Sequence, residues 1–152
     1  MDSCLTLFLG GTVGKSRWRE NIIPFLEHER LRYFNPVVDN WDSEAIAKEY
    51  QIKHSPTTVE AYIITKEMKG VFSIAEAVDA SNKKPDFTIF MIDPVGFSDH
   101  QLKSLKATED LIRENRASIA NSLEEVVYLF KGIEIAYRAK RISVLARKKK
   151  LS

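Results

Sequence analysis

Five short apolar runs, each followed by a segment with helical spacing, set the plan of the chain. Leu5-Thr6-Leu7-Phe8-Leu9 reads as a buried first strand, stopped by Gly10-Gly11. Trp18, Ile22, Phe25 and Leu26 fall on one face of a helix that Ser16 can cap, with Pro24 inside it as a kink or a late start. Leu31 to Phe34 is a shorter strand, and Asn35 to Trp41 leaves it as a loop. Asp42 or Ser43 caps the next helix, which runs through Ile46 and Tyr50 to about Ile52 before Ser55-Pro56. Val59 to Thr65 is the third strand, followed by a helix from Ser73 to about Ser81. Phe87 to Ile92 is the fourth strand, and Ser98 caps a polar helix to about Asn115. Ser118-Ile119-Ala120 is a faint fifth strand. Ser122 caps a last helix, expected to break at Gly132 and resume to about Lys148, with Ile119, Val126, Val127 and Phe130 as the core of that unit.

Strands that alternate with helices form a parallel sheet through right-handed crossovers, so the fold class is α/β. Five such units favour the Rossmann-type, doubly wound order 2-1-3-4-5, with a switch point between the first and third strands. The loops from Gly10 to Arg17, Asn35 to Trp41 and Lys66 to Glu76 then meet at one crevice, a plausible small-molecule site. No repeat or linker divides the chain, and residues 1–152 are expected to form a single domain with a basic C-terminal helix at about 133–150.

Composition narrows the choices. Of the 152 residues, 44% are hydrophobic and 29% charged, as in an ordinary globular protein. The net charge of +2 gives no case for nucleic acid, although Arg138, Lys140, Arg141, Arg147, Lys148, Lys149 and Lys150 crowd one end. Cys4 stands alone, which suits a reducing compartment, and no apolar run approaches a membrane span. A cytoplasmic protein is expected. His28, His54 and His100 lie on separate elements without ligand spacing, so no metal is expected, and nothing implies a cofactor. Apolar positions on the last helix (Ile133, Ile135, Ile142 and Leu145) suggest burial against a partner, hence a homo-oligomer.

Two stretches carry candidate chemistry. Gly10-Gly11-Thr12-Val13-Gly14-Lys15-Ser16 resembles a P-loop, but that motif needs a glycine where Leu9 stands. The turn can still hold an anion or a sugar hydroxyl, and Arg17 and Arg19 flank it. Gly70 to Val78 opens a helix with Glu76 in its first turn. Ser73-x-x-Glu76 has the spacing of a capping box, which recurs at Ser98-x-x-Gln101 and Ser122-x-x-Glu125. The same position suits a reactive carboxylate, because the helix dipole favours negative charge there and a carboxylate can attack an anomeric carbon. Spacing alone favours the cap.

The neighbouring motifs add a resemblance. Phe8-Leu9-Gly10-Gly11-Thr12, Trp18-Arg19, the block from Phe34 to Trp41 with its Asn-Pro-Val-Val-Asp core, and Met68-x-Gly70-Val71-x-Ser73-Ile74-Ala75-Glu76 resemble the nucleoside 2-deoxyribosyltransferase-like family over about the first ninety residues. The resemblance implies a flavodoxin-like fold. It also implies cleavage of the N-glycosidic bond of a deoxynucleoside or deoxynucleotide, with the sugar passed to another base or to water. Glu76 matches the family's nucleophile, and Asp39 is the candidate second catalytic group. Gly10, Gly11 and Thr12 match the sugar-pocket turn, and Asp39 and Trp41 the loop beside the base. Arg17, Gly70 and Ser73 complete the expected substrate contacts.

Two positions depart from the pattern. Thr58 and Gly70 stand where transferases of this group carry aspartates. Asp39, Glu60 or Asp93 could stand in for them. The alternative is a non-catalytic module that binds or senses a nucleotide in the same crevice.

Overall fold

The computed structural model describes residues 3–152. Five strands, β1 (Thr6–Gly11), β2 (Arg32–Phe34), β3 (Thr58–Ile64), β4 (Thr88–Ile92) and β5 (Ser118–Ala120), form one sheet in the order β2-β1-β3-β4-β5. Every pairing is parallel. This is the doubly wound α/β fold expected from the sequence. The connections are α1 (Trp18–His28), α2 (Ser43–Lys53), α3 (Phe72–Lys83) and α4 (Asp99–Glu114), and α5 (Leu123–Leu151) closes the chain.

The core lies on both faces of the sheet. Leu5, Leu7, Leu9, Val59, Ala61 and Ile63 pack with Trp18, Ile22 and Leu26 of α1 and with Val126, Val127 and Phe130 of α5. On the other face Tyr62, Ile64 and Phe90 meet Ala77 and Ala80 of α3 and Leu105 and Ile112 of α4. All seven residues of β3 are buried, which is why the central strand reads as a nearly continuous apolar run.

Local expectations fare unevenly. Asp42 caps α2, accepting from the Ala45 N–H at 2.9 Å, and Ser98 with Gln101 forms a complete capping box. Ser122 accepts from the Glu125 N–H, but the Glu125 carboxylate accepts from Asn121 instead of closing the box. Ser16 does not cap α1. Arg17 holds that position without a side-chain cap, and the Ser16 hydroxyl accepts from Thr65. Gly10 and Gly11 do not stop β1 but continue it, so no phosphate-wrapping loop begins there. Phe25 is largely exposed, and Arg19 takes a buried place on α1. The helix α5 runs through Gly132 without a break. Ile133 packs against the core, whereas Ile135, Ile142 and Leu145 are exposed.

Glu134 ties α5 to the start of β1. Its carboxylate accepts from the Cys4 N–H at 2.5 Å and the Leu5 N–H at 2.8 Å, and Arg138 lies 2.9 Å away. Burial pushes its pKa up, but the two N–H groups and Arg138 outweigh this and hold it below the usual glutamate value. A lowered folded-state pKa contributes stability that is present above the ordinary glutamate range and lost as pH falls through it. Glu134→Gln puts an amide NH2 against one of those N–H groups, an expected cost of about 1–3 kcal/mol at neutral pH. Thermal melts of the variant should also depend less on pH below about 5 than those of the wild type.

Candidate active site

The site follows from where β1 and β3 end. Tyr62 of β3 lies against Gly10, where an added Cβ would come within 2.6 Å of the ring. Gly11 has a φ of +118° and pairs with Ile63. Beyond it the Thr12 N–H donates to the Ile63 carbonyl at 2.9 Å, and the Thr12 hydroxyl accepts from the Thr65 N–H at 2.8 Å. The Thr12 carbonyl accepts from Trp18 Nε1 at 2.9 Å and from the Arg19 guanidinium at 2.6 Å. The turn is therefore tied down by hydrogen bonds, and neither glycine has room for a side chain.

Arg19 is committed to this turn. Its guanidinium also donates to the Leu9 carbonyl and stacks 4.2 Å over the Trp18 ring. Burial lowers its pKa to about 10, so it stays charged at neutral pH. Arg17 points outward, pairs with Glu20 at 2.6 Å, and does not line the crevice. The expectation that Arg17 contacts substrate finds no support in this arrangement.

Above the turn lies a cavity of about 460 Å³, within the range of small-molecule sites. Its floor is Phe8, Gly10, Gly11 and Thr12, and Val13 stands at its edge. One wall comes from Met68, Lys69, Gly70, Phe72, Ser73 and Glu76, and the other from Pro36, Val37, Val38, Trp41 and Glu49. Seven predicted site residues meet here: Gly10, Gly11, Thr12, Trp41, Gly70, Ser73 and Glu76. Trp41 is 63% exposed, so it is not a core residue, and its indole donates to Glu49 at 3.2 Å. Asp39 is exposed on the β2–α2 loop, outside the cavity lining.

The capping-box reading of Glu76 does not hold. No capping box forms at Ser73. Val71 caps α3 without a side-chain bond, and the Ser73 hydroxyl donates to the Gly11 carbonyl at 3.3 Å. The helix begins at Phe72, so Glu76 lies just beyond its first turn rather than within it. Glu76 lines the cavity, and its carboxylate pairs with Lys53 Nζ at 2.5 Å.

Behind it sits a group of buried polar side chains. Glu60 is paired with Lys84 at 2.6 Å and lies 4.0 Å from Lys53. Tyr62 packs in the core and also donates its hydroxyl to Glu60 at 2.6 Å. Burial, then the Glu60 charge, raises the Tyr62 pKa strongly, so the phenol stays protonated. Thr58 donates to the Ile52 carbonyl at 2.6 Å and is buried. Gly70 has open space where a Cβ would project. Asp93 accepts from the Val95 N–H after β4 and does not line the cavity.

The family model for nucleoside 2-deoxyribosyltransferase-like proteins matches residues 4–95, well over half of the chain. The chain belongs to that family. The match covers β1 to β4 and every loop that builds the cavity, while α4, β5 and α5 lie outside it. No curated protein and no solved structure matches the chain. Glu49, which lines the cavity, and Lys53, which pairs with Glu76, lie on α2 outside the three loops expected at the crevice, whereas Lys69 and Phe72 lie within the third of those loops without having been singled out.

Proposed function

We propose that the cavity binds a deoxynucleoside or deoxynucleotide and that Glu76 attacks the anomeric carbon, releasing the base and forming a glycosyl ester. The sugar then passes to water or to a second base. What supports this reading is the placement of Glu76, which lines a cavity of small-molecule size instead of closing a helix cap. In the attack, C1′ gains a bond to a Glu76 oxygen, the C1′–N bond breaks, and its electron pair leaves with the base.

The base needs a proton as it departs. Among the described residues lining the cavity, Glu49 is the carboxylate besides Glu76, and it sits beside Trp41. We assign it the place beside the base. Asp39, on the neighbouring loop, is the second candidate. Arg19 also lines the cavity, but its guanidinium is held by the Leu9 and Thr12 carbonyls, so Lys69 is the cation that would meet a 5′-phosphate. The exposed apolar positions Ile135, Ile142 and Leu145 of α5 support a homo-oligomer. Among the described residues no helix is long and apolar enough to cross a membrane.

The test is to incubate the protein with deoxynucleosides and their 5′-monophosphates and to measure free base by chromatography. Base release supports the proposal. Tight binding without release favours a binding or sensing module, the reading to which buried Thr58 and side-chain-free Gly70 point. Trp41→Ala is expected to weaken binding by about tenfold or more, the usual worth of a base stacked on an aromatic ring. Titration calorimetry with the preferred nucleotide checks it.

A further inference from the structure

The Glu76 carboxylate is one end of a row of four charges. Lys53 Nζ lies 2.5 Å from Glu76 Oε1 and 4.0 Å from Glu60 Oε1, and Lys84 Nζ lies 2.6 Å from Glu60 Oε2. The signs alternate along the row and cancel. Exposure of the Glu76, Lys53 and Glu60 side chains is 17%, 19% and 6%, so the row is mostly out of water. Its members come from the end of α2, from β3 and from α3, and from Lys84 just past α3.

A charge in such a place cannot be removed without consequence for its neighbour. Attack on C1′ does remove one, because a carboxylate that becomes an ester is neutral. The Lys53 ammonium would then be stranded beside it. Glu60 is the remedy already in place, close enough to attract Lys53 but not yet bonded to it. Its present partners do not fill it, since an ionised carboxylate accepts at about four lone-pair positions.

We propose that Lys53 is the positioning residue of the Glu76 nucleophile, and that Glu60 takes over its ammonium while Glu76 is esterified. The proposal rests on the glycosyl-ester reading above. In the free protein Lys53 holds Oε1, which leaves Oε2 to form the bond to C1′. The C1′–N electron pair leaves with the base, which takes a proton from Glu49 or water. Lys53 moves from Glu76 towards Glu60, a shift within the reach of its flexible stem. When water or an acceptor base attacks C1′, its proton goes to the group that protonated the departing base, Glu49 or water; the ester C–O electron pair returns to Glu76 as carboxylate charge, and Lys53 returns with it. Neither Lys53 nor Glu60 touches the sugar.

The rival is a purely structural clip. Helix α2 buries no residue, and the Lys53–Glu76 pair helps to hold it against α3. The two are separated by following, by mass spectrometry, the labelling of Glu76 by 2′-deoxy-2′-fluoro-nucleosides and their monophosphates. Lys53→Met should label at least about tenfold more slowly than the wild type, while affinity for an unreactive nucleotide stays within about threefold. Lys53→Arg should recover most of the rate, and ethylammonium should accelerate Lys53→Ala but not the wild type. The handover is tested in the double variant Glu60→Gln, Lys84→Met, which removes a pair and keeps the row neutral. It should also label about tenfold more slowly.

Wild-type labelling rates in Lys53→Met overturn the positioning role, and wild-type rates in the double variant overturn the handover. Equal slowing in the Met and Arg variants, with lowered melting and no ethylammonium response, also overturns the positioning role in favour of the clip. If the wild type itself takes no label from any probe, the glycosyl-ester reading falls and this proposal with it.

Discussion

Glu76→Gln is expected to fold, to bind nucleotide and to release no base. The amide keeps the shape of the side chain and still offers an oxygen to Lys53, and Glu60 remains 4.0 Å from the same ammonium. The expected loss of stability is about 1–2 kcal/mol, less than for a fully buried pair whose cation has no second partner. An amide oxygen is a far poorer nucleophile than a carboxylate, and it cannot give a stable neutral ester. Base release should fall by at least about a thousandfold, as it does when a covalent nucleophile is removed from other enzymes. Labelling by a 2-fluoro-deoxyribosyl donor should disappear. Affinity for the monophosphate should change by no more than about threefold, because the floor, Trp41 and Lys69 are untouched. Full turnover in this variant would remove Glu76 from the nucleophile's place. A wild type that binds but does not turn over, with a variant that differs only in affinity, would favour the sensing module.

The order of the sheet was legible because parallel strands covered on both faces must be apolar along their length. That holds for β1, β3 and β4, whose residues are nearly all buried. The two edge strands have three residues each and were legible mainly through their neighbours. The break expected at Gly132 failed for an energetic reason. A glycine within a helix costs about 1 kcal/mol, and the packing of Val126, Val127 and Phe130 on the sheet outweighs it.

The site was legible in its parts but not in its connections. Ser73-x-x-Glu76 and Ser98-x-x-Gln101 have the same spacing, yet only the second closes into a box. Ser98 and Gln101 bond each other reciprocally, at 3.0 and 3.2 Å. At α3 the Gly11 carbonyl, 62 residues away in sequence, takes the Ser73 hydroxyl, and Lys53, 23 residues away, takes the Glu76 carboxylate. Local spacing cannot register competitors that arrive through the fold. The same limit separates Arg17 from Arg19: both flank the turn, but only the helical position of Arg19 turns its guanidinium inward onto the Leu9 and Thr12 carbonyls. Lys53, at the end of a helix that buries nothing, had no local sign of its pairing with Glu76.

The largest loss of stability is expected for Gly11→Ala. The residue has a φ of +118°, a backbone conformation that strains any L side chain by about 1–3 kcal/mol. A Cβ there would also collide with the carbonyl oxygen of Ile63 and lie 2.6 Å from its nitrogen and 2.8 Å from its carbonyl carbon. Those are backbone atoms of the central strand, bonded on both sides, and they cannot retreat without opening the β1–β3 pairing. The combined cost should be at least about 4 kcal/mol, a large share of the 5–15 kcal/mol that holds a domain of this size together. Gly14 and Gly70 separate the two contributions. Gly14 has a φ of +86° but open space around it, so Gly14→Ala should cost about 1 kcal/mol. Gly70 has open space and no positive φ, and Gly70→Ala should be nearly neutral. Urea titrations of the three variants should rank them in that order, with midpoints shifted and slopes unchanged where the variant still folds. The effect should reach the cavity too, because the Gly11 carbonyl anchors Ser73 one turn before Glu76. If Gly11→Ala unfolds at the same urea concentration as Gly70→Ala, the close approach of β1 to β3 is not what fixes the floor of the site.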